Sequence, residues 1–265
     1  MAQAGRITVD IEEFNATVLL DNPEQYNALT KDMCLQLVGA FATLAADPEV
    51  RTIVVRGVES SFCSGIAIDQ MDRVLFDPDE QGELINHFDL VDRSIQACGK
   101  TTIAVVEGNC YGGGWQLASA CDVQLASDQV RLAITPAKIG LVYPRPGIER
   151  LVRTVGEHRA KYLLFSGARL PVEDISSWGL FTRVVPHAGL EAELAALLAQ
   201  LHANSPYSIA RTRQAINLAQ HGEVSDQWWQ QAWEENAGNA DLAEGRAAFL
   251  ARRAPKFSSY PASRP

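Results

Sequence analysis

The chain has 265 residues, 47% of them apolar and 21% charged, the profile of a soluble globule able to bury a sizeable core. Its 23 Lys and Arg stand against 32 Asp and Glu, a formal charge of −9. With no basic cluster beyond Arg252-Arg253, a phosphate-tracking nucleic-acid surface is excluded. The longest apolar stretches fall short of the roughly 18–20 residues of a membrane span, and Met1 to Gly5 lacks the head and apolar stretch of a secretory signal. A cytoplasmic protein with no membrane partner is expected.

Cys34, Cys63, Cys98, Cys110 and Cys121 form an odd set without a C-x-x-C pair, so free, mostly buried thiols are expected in place of a disulfide framework. His87, His158, His187, His202 and His221 are scattered, with no H-E-x-x-H and no close Cys/His group. No metal is expected.

In chain order, Ile7 to Ile11 alternates at period two and Ala16 to Leu20 is a second apolar run, which predicts a hairpin. Thr30 is the expected N-cap of a helix with Met33, Leu37, Ala40, Phe41 and Leu44 on one face, stopped by Asp47-Pro48. Thr52 to Val55 is a short buried-type strand, and residues 70–82, poor in apolar anchors, read as a mobile loop. A helix is predicted over about 83–97, then a strand over Thr101–Val106, then a helix opening at Gly112-Gly113-Gly114. Val123 to Ala126 and Val130 to Ala133 resume extended structure. From about 148 the spacing is helical, with a long helical tail opening at Ser205-Pro206. The expected division is a core over 1–200 and a C-terminal helical region over 201–265. Trp228, Trp229 and Trp233 in that tail read as core or subunit packing sooner than as a ligand platform.

Two glycine turns carry the chemistry. A glycine turn feeding a helix leaves backbone N–H groups unpaired and aimed at one point, with the positive helix end behind them. Such a turn suits a phosphate or an oxyanion. Gly114 is followed by Trp115 and Gln116, which breaks the phosphate-loop spacing, and the glycines do not form G-x-G-x-x-G.

The flanks narrow the reading. The segments are Asn22-Pro23-Glu24-Gln25-Tyr26-Asn27-Ala28-Leu29, Phe62-Cys63-Ser64-Gly65-Ile66-Ala67-Ile68, Val106 to Ala118 around the triple glycine, Cys121-Asp122, and Glu244 to Phe257. Together they span nearly the whole chain and resemble the enoyl-CoA hydratase/isomerase (crotonase) superfamily. There they read N-x-P-E-x-x-N-A-L, F-x-A-G-A-D-[IL], V-x-G-x-x-x-G-G-G-x-E-L-A, C-D and E-G-x-x-A-F-L-x-x-R-x-P-x-F. The resemblance implies an α/β crotonase-like (ClpP/crotonase) spiral of β-β-α repeats with a C-terminal helical trimerisation region. It implies a homotrimer or hexamer, and an acyl-CoA thioester as substrate with coenzyme A as part of it and no other cofactor.

By the same resemblance the oxyanion donors fall on the N–H groups of Ile66 and Gly113, with Ser64, Gly65, Ala67, Ile68, Asp69, Gly112 and Pro136 lining the substrate site. Ile66 narrows the acyl pocket, and Ala67 stands where the family has Asp. The family's hydratases share a water between two glutamates. Here Gln116 takes the first position, and Pro136 or Ala137 the second, so both acid–base groups are missing. Thr135-Pro136-x-x-x-Gly140-x-x-Tyr143 is similar to the corresponding stretch of methylmalonyl-CoA decarboxylases, where a tyrosine at the position of Tyr143 orients the departing carboxylate. Decarboxylation needs no base, since loss of CO₂ itself leaves the enolate.

Three outcomes stay open at this point. One is a decarboxylase or other lyase. Another is a hydratase or isomerase using Asp69, His87 or Glu149. The third is an acyl-CoA-binding trimer without turnover. Glu149 is otherwise expected to pair with Arg150, and Lys256 either to meet a coenzyme A phosphate from a neighbouring subunit or to lie on the surface.

Overall fold

The computed structural model describes residues 5–220 and 222–257. Met1 to Ala4 and His221, considered above, lie outside them. The elements in chain order begin with β1 (Arg6–Glu12), β2 (Asn15–Asp21), α1 (Lys31–Ala46), β3 (Thr52–Gly57), α2 (Met71–Leu75), β4 (Asp77–Pro78) and β5 (Leu84–Ile85). Next come α3 (His87–Ala97), β6 (Thr101–Val106), β7 (Asn109–Tyr111), α4 (Gly113–Ala120), β8 (Val123–Ser127) and β9 (Arg131–Ala133). The chain continues through α5 (Arg145–Val155), α6 (Glu157–Ser166), β10 (Leu170–Pro171), α7 (Val172–Ile175) and β11 (Arg183–Val185). It closes with α8 (Leu190–Ala203), α9 (Pro206–Gln220), α10 (Asp226–Ala237) and α11 (Ala240–Leu250).

The expected hairpin forms, with β1 antiparallel to β2 and Val9 opposite Val18. From β2 onward the main sheet is parallel, in the order β1-β2-β3-β6-β8-β11. Its central strands β3 and β6 are apolar on both faces because both of those faces are covered. Ile53, Val55, Ala104 and Val106 enter the large core under the helices α1, α3 and α4, while Val54, Ile103 and Val105 pack with Leu190 and Leu194 of α8. The period-two alternation of a strand thus divides each of β3 and β6 between two cores. Thr30 caps α1 as expected, its side chain accepting from the Met33 N–H at 3.2 Å.

Residues 70–82 depart from the loop expectation. Val74 and Leu75 are buried, and those two side chains are enough to fix the short helix α2 on the core. The helix expected from about 83 begins at His87, where Asn86 caps it by accepting from the Asp89 N–H. The region after 148 is not purely helical, since β11 joins the main sheet beside β8. The tail is three helices, and the bond that ties it down is Arg213 on α9. Its Nε donates to both oxygens of Asp122 at 2.8 and 2.9 Å, and its two terminal nitrogens donate to the Ile95 and Gln96 carbonyls. Asp122 also accepts from the Thr102 N–H at 2.8 Å, so the Cys121-Asp122 pair is a fastening between tail, helix and sheet. All five cysteines are free and buried.

Candidate active site

The first turn is built by the segment before it. Asn27 sits at φ +59°, a left-handed conformation that Asn tolerates, and its side-chain amide donates to the Val58 and Ser61 carbonyls. Its Oδ1 accepts from the Asn22 N–H at 3.0 Å. The loop so fixed then holds the turn: the Ser64 N–H donates to the Tyr26 carbonyl and the Ser64 hydroxyl to the Gln25 carbonyl. Leu29 bridges to Ile66 as in a parallel sheet, with Leu29 N–H donating to Gly65 O at 2.7 Å and Ala67 N–H to Leu29 O at 3.0 Å. In such a bridge the two neighbours of Ile66 make both bonds, so the Ile66 N–H points away. It has no partner among the described residues.

The second turn is docked on the first. Cys63 pairs with Cys110 through Cys63 N–H to Asn109 O and Tyr111 N–H to Cys63 O, both 3.0 Å. That approach requires glycine at two places. A Cβ on Gly114 would lie 2.2 Å from the Cys63 carbonyl oxygen, and one on Gly65, at φ +103°, would lie 3.0 Å from that of Tyr111. Gly112 donates to the Ala133 carbonyl and caps α4, leaving the Gly113 N–H at the helix start without a partner among the described residues. The Gly65 Cα lies within 3.4 Å of where a Gly113 Cβ would stand. The turns that carry the two expected donors therefore lie against each other, with the α4 dipole behind Gly113.

Beneath this pair lies a polar cluster that the sequence reading missed. Gln116 is fully buried, and its amide Nε2 donates to Asp92 Oδ2 at 3.3 Å. Asp92 is clasped by the Arg150 guanidinium, one arm reaching Oδ1 at 3.1 Å and the other Oδ2, and the Arg150 Nε donates to the Ser119 hydroxyl. This explains why position 116 carries an amide. A carboxylate there would face Asp92 across a hydrogen-bond distance, with the one guanidinium already engaged. The Gln116 Oε1 is buried and unpartnered. One turn before Asp92, Asp89 is half-buried with Oδ1 unpartnered, and burial first, then the Asp92 charge, pushes its pKa up.

Tyr143 is buried against this cluster, and its hydroxyl donates to the Gly112 carbonyl at 2.8 Å. Gly147 makes room for it, since a Cβ there would stand 2.6 Å from Tyr143 Cε1 and 3.1 Å from Gln116 Oε1. A phenol has one proton to donate. The expected bond from Tyr143 to a substrate carboxylate therefore has no free donor in this arrangement, which corrects the sequence reading of that residue.

The remaining candidates separate clearly. Ala67 opens a short turn over Ile68–Gln70 with no side-chain cap, as the loss of the family Asp implies, and Ile68 and Asp69 are exposed. Pro136 is buried and Ala137 exposed. His87 is buried with Nε2 on Asp77 Oδ2 at 2.8 Å, and Asp77 also accepts from Lys31, so His87 is a packing residue that ties α3 to β4. Glu149 pairs with Arg145 at 2.6 Å, and the Arg150 guanidinium clasps Asp92. Lys256 is exposed, with its backbone N–H on Glu244. Arg253 grips the same Glu244 and is the first cause of its pKa falling to about 2. A cavity of about 880 Å³ lined by Trp115, Ser119, Asp122, Arg153 and Arg213 borders α4 without reaching Ile66 or Gly113.

Residues 11–260 match the family model described as enoyl-CoA hydratase/isomerase. The fold is similar to the crystal structure of an enoyl-CoA hydratase/isomerase family member, 41% identical, with a TM-score of 0.95 over 99% of this chain and 100% of that one. It is also similar to an enoyl-CoA hydratase from Polaromonas sp. JS666, 28% identical, TM-score 0.84, over 96% and 100% of the two chains. Among curated proteins, one of Thermus thermophilus, provisionally named an enoyl-CoA hydratase, is 33% identical over 91% of this chain and 96% of its own length.

Proposed function

Because the chain belongs to the enoyl-CoA hydratase/isomerase (crotonase) family, we propose that it binds an acyl-CoA thioester and stabilises the enolate left when the acyl group loses CO₂. In this reading the Ile66 and Gly113 N–H groups hold the thioester oxygen as charge develops on it, one such donor being worth ~3 kcal/mol of barrier. The bond to the carboxylate carbon breaks, its electron pair becomes the enolate, CO₂ leaves, and the enolate carbon takes a proton from water. No cofactor enters beyond the coenzyme A carried by the substrate.

The observation that carries the reading is Gln116. Its amide is tied to Asp92 and acts as neither acid nor base near neutral pH, and neither Pro136 nor Ala137 supplies the second acid. Enolate chemistry that generates its own electron pair is what such a site can still perform. A second reading rests on Asp89, whose unpartnered oxygen and raised pKa suit a proton carrier for hydration or double-bond isomerisation.

Mass spectrometry of malonyl-, methylmalonyl- and crotonyl-CoA incubated with the wild type and with Asp89→Asn separates them. Expected is loss of CO₂ from a malonyl-type thioester in both proteins. Hydration or isomerisation of the enoyl thioester, slowed ~100-fold or more by Asp89→Asn, would establish the second reading instead. Thioester binding with no turnover would leave an acyl-CoA-binding protein.

The assembly we propose is a homotrimer or hexamer. Trp229 and Trp233 stack at 6.2 Å and are 52% and 66% exposed in the single chain, so they belong to no core of this protomer. Light scattering at micromolar concentration should give a multiple of three chains; a monomer would refute it.

A further inference from the structure

The carbonyl of Gly112 and the N–H of Gly113 are two ends of one peptide unit. Tyr143, itself buried, donates its hydroxyl to the first of them at 2.8 Å. The other donor peptide is treated in the same way. The carbonyl of Gly65, joined to the Ile66 N–H, accepts from the Leu29 N–H at 2.7 Å. Both oxyanion donors are thus backed by a hydrogen bond to the carbonyl of their own peptide. Behind Ile66 that bond comes from the main chain. Behind Gly113 the Gln116 N–H contributes a longer contact of 3.3 Å, the ordinary bond of a first helical turn, and the short one comes from a side chain.

A peptide is a conjugated unit, and density drawn toward its oxygen is drawn from its nitrogen. A donor at the carbonyl therefore leaves the N–H more positive and the hydrogen bond it gives stronger. We propose that Tyr143 is a positioning residue for the oxyanion hole: by donating to Gly112 O it polarises the Gly112–Gly113 peptide and strengthens the Gly113 N–H toward the thioester oxygen. The surroundings keep that donor in place. Burial pushes the Tyr143 pKa well above its ordinary value, so the hydroxyl stays protonated at every pH at which the protein would work. Gly147 gives the ring its seat, because any Cβ there would collide with Cε1.

The role is independent of which acyl group reacts, although it rests on the oxyanion reading of Ile66 and Gly113. Cooperative strengthening of 10–30% on a donor worth 10²–10³ in rate predicts that Tyr143→Phe slows turnover about two- to eightfold, for carboxylated and other thioesters alike.

The direct readout is the thioester C=O stretch of bound butyryl-CoA labelled with ¹³C at the carbonyl, followed by infrared difference spectroscopy. Wild-type protein should lower the stretch relative to free ligand. Tyr143→Phe should bind with little loss and give back part of that lowering. Fluorotyrosine in place of Tyr143, a stronger donor of nearly the same shape, should deepen it. A wild-type stretch equal to that of free ligand would overturn the oxyanion reading, and this inference with it. A wild-type lowering that neither replacement changes would overturn the Tyr143 role alone. So would a loss in Tyr143→Phe with no deepening in the fluorinated protein, which would make Tyr143 a prop for the turn. If Tyr143→Phe fails to fold, the fluorinated protein still decides the question.

Discussion

Replacing Gly113 by proline should cut acyl-CoA turnover at least ~100-fold in a protein that still folds. The two halves of that expectation have separate causes. Gly113 is the first residue of α4, where a helix has no use for its N–H and where the fixed φ of proline is already suitable. A Cβ at this position would meet the Gly65 Cα and Phe88 Cζ at 3.4 Å, which is ordinary contact. The helix start is therefore spared, while Gly112, at φ +47° and ψ −111°, must adjust to the proline that follows it. The lost N–H, however, is one of only two groups proposed to hold the thioester oxygen, and the proline ring stands where that oxygen would sit. Gly113→Ala is the matched control, since it adds the same Cβ and keeps the donor, and it should retain most of the wild-type rate. The decisive comparison is turnover of whichever thioester the wild type consumes, alongside thermal melts of all three proteins. A folded Gly113→Pro with unchanged turnover would remove Gly113 from the site.

The two glycine turns proposed to hold the oxyanion are legible in the sequence because of what they are made of. Their function is carried by the backbone, and the backbone geometry demands particular residues: Gly114 because Cys63 O lies where its Cβ would be, Gly65 because of its positive φ, Asn27 because of its left-handed conformation and its two carbonyl partners. Requirements of this kind leave a spelling in the sequence. The strands β3 and β6 are legible for a similar reason, since their runs of Val, Ile and Ala reflect burial on both faces, whereas β2 buries alternate residues on one.

Elements held by few side chains leave weaker traces. α2 rests on Val74 and Leu75, and β11 is three residues long and owes its place to pairing with β8. The cluster under the hole leaves no trace at all. Asp92 and Arg150 are 58 residues apart, each on a helix where it reads as an ordinary surface charge, and Arg150 stands beside a glutamate that looks like its natural partner. Gln116 is legible as the absence of a glutamate. The reason for the amide, the Asp92 carboxyl group at hydrogen-bond distance, is a fact of tertiary packing.

A large loss of stability is expected from a single replacement at that cluster. In Arg150→Ala the guanidinium is gone, and Asp92, whose side chain is 6% exposed, keeps only the longer bond from Gln116. Breaking a buried pair from one side typically costs 3–5 kcal/mol, because the surviving charge is left without a counter-ion in a medium that solvates it poorly. In a chain of this size each ~1 kcal/mol moves the melting temperature by roughly 2–4 °C, so a fall of about 6–20 °C is expected. The double replacement of Asp92→Leu with Arg150→Met should recover most of it, since no charge remains to be desolvated and the volume is nearly kept. The recovered protein should nonetheless differ from the wild type at the site, for Gln116 loses the acceptor that fixes its amide. Stability and turnover then come apart in one series. If Arg150→Ala melts within about 1–2 °C of the wild type, well below the expected fall, the clasp between α3 and α5 contributes nothing, and Gln116 is held by packing alone.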